Sequence, residues 1–272
     1  MHCLDEGPRM GDTVVMLHGN PTWSFYYRHV IAALSSTHRC IVPDHIGMGL
    51  SDKPCEEDYN YTLDQRVDDL DELLSKLDLP QKLTLVVHDW GGMIGMAWAT
   101  RRPERIEKLV ILNTGAFHLP ATMAMPWQLV LCRGPFGEWL VRGCNAFCLD
   151  AVKNCATRRA LSPGACKAYL EPYDSWQNRV AIYQFVKDIP LDVGENAYNT
   201  VSHVQSNLSQ FADVPMLVCW GMKDFVFTEH FLNEWTRRFP KAAVHRLDDA
   251  GHYILEDAHE EVVPLIQRFV NG

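Results

Sequence analysis

The sequence predicts an α/β fold in which a mostly parallel sheet is flanked by helices and interrupted by an inserted helical cap. Three observations carry this. Short apolar, β-branched runs alternate with segments of helical periodicity towards both ends of the chain. Between residues 116 and 205 that alternation stops, and Trp, Phe, Cys and Met recur in helix-like stretches with few strand signals. Glycine-bearing turns follow the ends of several strands, where open sheets of this kind place their ligands.

Taken in order, Thr13–Leu17 reads as a strand running into His18-Gly19-Asn20-Pro21, and Cys40–Val42 as a second strand ending at Pro43-Asp44. Thr62 opens a helix with Gln65 three residues on, a capping pair, and Leu63, Val67, Leu70, Leu74 and Leu77 mark its apolar face. Leu83–His88 is a strand, Asp89-Trp90-Gly91-Gly92 turns sharply into a helix, and Pro103 closes that helix. Lys108–Asn113 is the next strand. After the interruption come a strand at Pro215–Trp220, a helix around Glu229–Phe239, a strand at Ala243–Leu247 and an amphipathic helix from Glu260 to Phe269. The expected division is a core of residues 1–115 and 206–272 and a cap of 116–205; long structured insertions usually serve binding.

Composition narrows the function. With 272 residues, 47% of them hydrophobic, the chain can bury a sizeable core. Its net charge of −9, with Lys and Arg scattered, argues against nucleic acid or an anionic membrane surface as the main partner. The stretch Met1-His2-Cys3-Leu4-Asp5-Glu6 is acidic and lacks the apolar core of a signal peptide. No apolar run approaches the ~20 residues of a membrane span. The nine cysteines lack zinc spacing, and Cys144, Cys148, Cys155 and Cys166 fall on a helical stretch without matching histidines. Reduced, buried thiols in a cytoplasmic protein are the expectation.

Four turns carry candidate chemistry. In Val87-His88-Asp89-Trp90-Gly91-Gly92, Gly91 and Gly92 supply the small residues that a crowded strand-to-helix elbow needs beside a nucleophile. Val87 stands where a glycine is expected, and the nucleophile position holds Asp89. Alone, Asp89 could equally be a helix N-cap. Asp224 in Trp220-Gly221-Met222-Lys223-Asp224 and His252 in Asp249-Ala250-Gly251-His252 follow their own strands. Each of these alone is an ordinary turn. Together they place nucleophile, acid and histidine in the chain order of the α/β-hydrolase fold. Asp248 and Asp249, three or four residues before His252, shape its loop instead. Gly19 lets the backbone near the elbow, so that the N–H groups of Asn20 and Trp90 form an oxyanion hole. The Trp90 indole and Asn20 amide add donors suited to an anion; for Trp90 the plain alternative is core packing.

These residues resemble the haloalkane dehalogenase branch of the α/β-hydrolases. The resemblance rests on His18-Gly19-Asn20-Pro21-Thr22-Trp23-Ser24-Phe25, on Pro43-Asp44-His45-Ile46-Gly47-Met48-Gly49-Leu50-Ser51-Asp52-Lys53-Pro54, on His88-Asp89-Trp90-Gly91-Gly92 and on Gly251-His252-Tyr253. It covers nearly all of both core halves and weakens across the cap. It implies Asp89 as nucleophile, His252 as base, Asp224 as the acid that orients it, and Trp90 with Asn20 as the halide-binding pair. Some subgroups instead carry the acid where this chain has Asn113. Phe185-Val186-Lys187-Asp188-Ile189-Pro190 is similar to a pocket-lining stretch, giving Phe185 and Ile189 as candidate wall residues, to which the apolar side chains of the cap add Phe117. Met1–Gly7 resembles the family's second strand, which implies a missing first strand and a sheet edge needing cover. The same subgroup resembles β-lactone decarboxylases of long-chain olefin biosynthesis, with the same Asp, His, Trp and Asn pattern.

The leading expectation is therefore hydrolytic dehalogenation. Asp89 displaces a halide to form an alkyl-enzyme ester, and His252-activated water cleaves it. β-Lactone decarboxylation with the same triad is the alternative. Epoxide hydrolysis follows, with Tyr169, Tyr173, Tyr183 and Tyr198 as acids, and last a non-catalytic binding protein on a hydrolase scaffold. Any of the enzymes needs a small apolar substrate and no metal or organic cofactor; dehalogenation adds a halide ion as ligand. Homo-oligomerisation is left open. Apolar cap residues, among them Phe117, Trp127, Phe136, Phe147, Phe185 and Ile189, are too many for a solvent-exposed cover, so some of them face the elbow across a dry cavity.

Overall fold

The computed structural model describes residues 1–121 and 123–272. Seven strands form one sheet in the order β1-β3-β2-β4-β5-β6-β7. They are β1 (Cys3–Glu6), β2 (Thr13–Leu17), β3 (Arg39–Pro43), β4 (Leu83–Asp89), β5 (Ile106–Thr114), β6 (Met216–Gly221) and β7 (Ala243–Leu247). All pairings are parallel except that of β1 with β3. The edge strand that the resemblance implied within Met1–Gly7 is therefore present as β1.

Parallel strands are covered on both faces, which is why β2, β3, β4 and β6 are buried along their whole lengths. Side chains alternate between two cores. Val15 and Leu17 of β2 join one with Leu63, Val67, Ile94, Val201 and Trp235; Val14 and Met16 join the other with Val30, Leu34, Val262 and Ile266. The helices behind these residues are α1 (Arg28–Leu34), α2 (Leu63–Lys76) and α3 (Trp90–Arg101). Thr62 caps α2 as expected, its hydroxyl accepting the N–H of Gln65. α1 was not anticipated: its buried residues, Val30 and Leu34, are too few to set a period.

Between β5 and β6 lie α4 (Trp127–Arg133), α5 (Ala146–Asn154), α6 (Pro163–Leu170), α7 (Val180–Lys187) and α8 (Tyr198–Asn207), with short 3₁₀ segments and a π turn at Trp139–Gly143. Successive parallel strands need a crossover on one face of the sheet, and α8, packed on α3, provides it. The limit expected at residue 205 thus falls inside a helix that lies on the core. After β6 come α9 (Glu229–Arg238), α10 (Ile254–Asp257) and α11 (His259–Asn271). Among the described residues no helix is long and apolar enough to cross a membrane.

Strand order fixes the site. The chain passes from β2 to β3 on one side and then crosses to β4 on the other side of β2. The loops after β2 and β4 therefore part at this switch point and open a crevice between them.

Candidate active site

Asp89 ends β4 with φ 52° and ψ −129°, a left-handed conformation that side chains rarely adopt. It persists because the surroundings leave no alternative. A Cβ on Gly91 would run into the Leu17 carbonyl, one on Gly92 into the Thr114 hydroxyl, and one on Gly19 into the Asp89 carboxylate itself. The room that Val87 takes up is returned by Gly95 of α3, where a Cβ would meet Val87 Cγ1 at 2.8 Å. A glycine inside a helix costs about 1 kcal/mol, and that is the signal in the sequence that went unread.

The Asp89 carboxylate is buried, and Oδ1 accepts the backbone N–H of Asn20 at 2.6 Å. Oδ2 lies 3.7 Å from His252 Nε2. Burial raises the Asp89 pKa, against the pull of His252 and of the backbone N–H groups of Asn20 and Trp90. The two N–H groups expected to form an oxyanion hole are thus both directed at the carboxylate.

His252 Nδ1 is 2.8 Å from Asp224 Oδ2, while Asp224 Oδ1 accepts the N–H groups of Val226 and Phe227 at 2.7 and 2.9 Å. Burial pulls the His252 pKa down, but the charge and hydrogen bond of Asp224, with the charge of Asp89, outweigh it and the net shift is upward. Asp248 and Asp249 are exposed, and Asp249 pairs with Arg158 instead.

Two supporting residues escaped the sequence reading. Asn113, with φ 32° at the end of β5, donates to Asp224 Oδ2 at 2.9 Å and exchanges hydrogen bonds with the N–H and C=O of Gly221. It braces the acid from the position where other subgroups carry the acid itself. His88 donates Nε2–H to the His252 carbonyl at 2.9 Å, and burial holds its pKa well below the ordinary value, so the ring is neutral.

The cavity in front of Asp89 measures about 340 Å³. Asn20, Trp90 and His252 line it at the core end, and Phe117, Trp127, Phe147 and Ile189 are among its apolar walls. Phe185 is not on the wall. It is fully buried behind Trp90, with ring centres 5.2 Å apart, and the Arg66 guanidinium lies 3.7 Å from its ring centre. Phe136 faces solvent. Asn20 Nδ2 donates to the Ile182 carbonyl of α7 at 3.1 Å, and that carbonyl fixes the orientation of the amide. Asn20 Oδ1 is left buried and without a partner among the described residues. No group of three His, Cys, Asp or Glu among them is placed to hold a metal.

Residues 12–259 match the α/β hydrolase fold family. The chain is 53% identical, over 99% of its length and 85% of the relative, to a cis-3-alkyl-4-alkyloxetan-2-one decarboxylase of Shewanella oneidensis. It is 47% identical to another of the same name from Xanthomonas campestris, over 99% of this chain and 92% of that one. The solved haloalkane dehalogenase DatA of Agrobacterium tumefaciens C58 superposes with a TM-score of 0.87 at 26% identity, covering 99% of this chain and 92% of its own.

Proposed function

The chain belongs to the α/β-hydrolase family, and we propose that within it the protein opens and decarboxylates β-lactones, converting a cis-3,4-dialkyl oxetan-2-one to an alkene and CO2. The observation that carries this is a buried, desolvated Asp89 carboxylate, flanked by His252, at the end of an apolar cavity of about 340 Å³. The relatives at 53% and 47% identity bear the name of this activity.

Asp89 Oδ2 attacks C4 of the ring. The C4–O bond breaks with its electrons on oxygen, leaving an ester on Asp89 and a free carboxylate on C3. The C3–carboxylate bond then breaks, its electrons form the C3–C4 double bond, and the C4–O bond to Asp89 releases the aspartate and CO2. Inversion at C4 followed by anti elimination returns a cis alkene from a cis lactone. Neither water nor a net proton is consumed. His252 serves as a cation beside the carboxylates that form and depart, and Asp224 and Asn113 keep it in place. Shedding water sharpens the Asp89 carboxylate.

Dehalogenation is supported by the Trp90 ring on the cavity wall beside Asp89 and by the likeness to the solved dehalogenase. Incubation with a cis-dialkyl β-lactone and, separately, with a bromoalkane tests both readings through alkene, CO2 and bromide release. Alkene from the lactone is expected; bromide release without alkene would overturn the proposal.

A further inference from the structure

Asp257 lies outside the site and is fully buried at the end of α10. Its carboxylate collects backbone donors from two separate segments. Oδ2 accepts the N–H of Gly251, the residue before His252, at 2.6 Å. Oδ1 accepts the N–H groups of Thr157 and Arg158 at 3.0 and 2.9 Å. Those two residues follow α5, the cap helix whose Phe147, Asp150 and Ala151 line the cavity.

Neighbouring bonds tie the same two segments. The Tyr253 N–H donates to the Cys155 carbonyl at 2.8 Å, and the Thr157 hydroxyl to the Asp249 carbonyl at 2.8 Å. A Cβ on Gly251 would stand 2.7 Å from both the Cys155 carbonyl oxygen and Thr157 Cγ2, so the segments are in close contact. On its far side the His252 loop is fastened to the Asp224 loop, where the Lys223 N–H donates to the Ala250 carbonyl at 2.8 Å. The loop is held between the acid on one flank and the cap on the other.

We propose that Asp257 is a positioning residue that sets His252 against Asp224 and Asp89 and couples that setting to the cap wall formed by α5. Its effect on turnover rests on the decarboxylase reading; its effect on His252 does not. A carboxylate suits the place because every group facing it is a donor, and an amide would turn an NH2 towards N–H groups. The ionisable side chains around His252 are Asp224, Asp89, the neutral His88 and the Tyr253 phenol. Asp257 reaches the histidine only through the Gly251 backbone.

The test uses the whole chain and proton NMR of the His252 Nδ1–H, a proton shifted far downfield by its bond to Asp224. In Asp257→Asn this resonance should move upfield and broaden, and kcat on the lactone should fall up to about a hundredfold with KM changed less than about threefold, as expected for a misplacement near 1 Å. Asp257→Glu, which restores the carboxylate, should recover part of both. Thr157→Val, an exposed substitution that keeps all charges, should shift the resonance in the same direction by a smaller amount, and it decides the matter if Asp257→Asn does not fold. An unmoved Nδ1–H resonance in a folded variant that has only lost thermal stability overturns the proposal. If the parent does not turn over lactone, the resonance alone still decides it.

Discussion

Core and cap solve different problems with similar apolar content. In the core, β2, β3, β4 and β6 are buried along their length, and Asp89, Asp224 and His252 sit at or shortly after the end of a strand. In the cap, Phe136 and Trp139 are 76% and 60% exposed, while Phe147 and Ile189 face the cavity. The core contributes Asp89, Asp224, His252 and Asn113. The cap contributes cavity wall and backbone carbonyls, such as that of Ile182 on Asn20. On the proposed reading, the difference teaches that chemistry and selection are carried by separable parts of the chain, joined at a few hydrogen bonds.

The largest break in that comparison comes from the nucleophile. Asp89→Ala should lower turnover by at least about 10⁴-fold, in line with removal of other covalent nucleophiles. The fold should stay intact, because the elbow accommodates small side chains. Residual turnover within tenfold of the parent, in a sample proven free of it, would place the chemistry elsewhere.

The next effect is that of pH. Asp89 must be ionised to attack, and its raised pKa moves the acid limb of kcat upward from the ordinary aspartate range. In the proposed reaction His252 acts as a cation, and its raised pKa should then hold activity to a higher pH than an ordinary histidine would before deprotonation removes it. A bell-shaped kcat profile on lactone is expected. Activity that keeps rising through the alkaline limb would assign His252 the role of a base, the role hydrolytic dehalogenation requires.

Asn113→Ala comes third. It removes a hydrogen bond to a buried carboxylate, worth about 1.5–3 kcal/mol, so kcat should fall roughly 10- to 100-fold while cavity binding persists. The smallest effect belongs to the cap. Phe147→Ala should move kcat/KM in favour of longer alkyl chains by about tenfold, on the scale of one or two methylenes in an apolar pocket. Equal loss across chain lengths would show that the cap acts on catalysis itself, and the division between the two regions would fail.

The same division explains what could be read in the sequence. Asp89, Asp224 and His252 were legible because each stands alone after its own strand and their order along the chain is diagnostic. The capping of α2 and most strands were legible because local periodicity and local hydrogen bonds decide them. Asn113 and His88 were not, because their work is done on a carboxylate and a carbonyl more than 100 residues away. The bond from the Asn20 amide to the Ile182 carbonyl was hidden for the same reason, its acceptor lying 162 residues later. Phe185 was placed on the cavity wall through the likeness of its stretch to a pocket-lining segment; which apolar side chain of such a stretch meets the cavity depends on the roll of the helix. The sequence reading put the dehalogenase ahead of the decarboxylase, an order the side chains themselves do not decide, since both reactions use the same ones and differ in how the intermediate leaves.

The close approach of Gly19 to Asp89 limits what position 89 can become. The carboxylate tip already occupies the space where a Cβ of residue 19 would be. One further methylene, as in Asp89→Glu, drives the carboxylate into the backbone of the β2 turn, whereas serine and cysteine are shorter and fit. The elbow acts as a length gauge. Position 89 is therefore open to a small alphabet of nucleophiles, in which the side chain is no longer than that of aspartate.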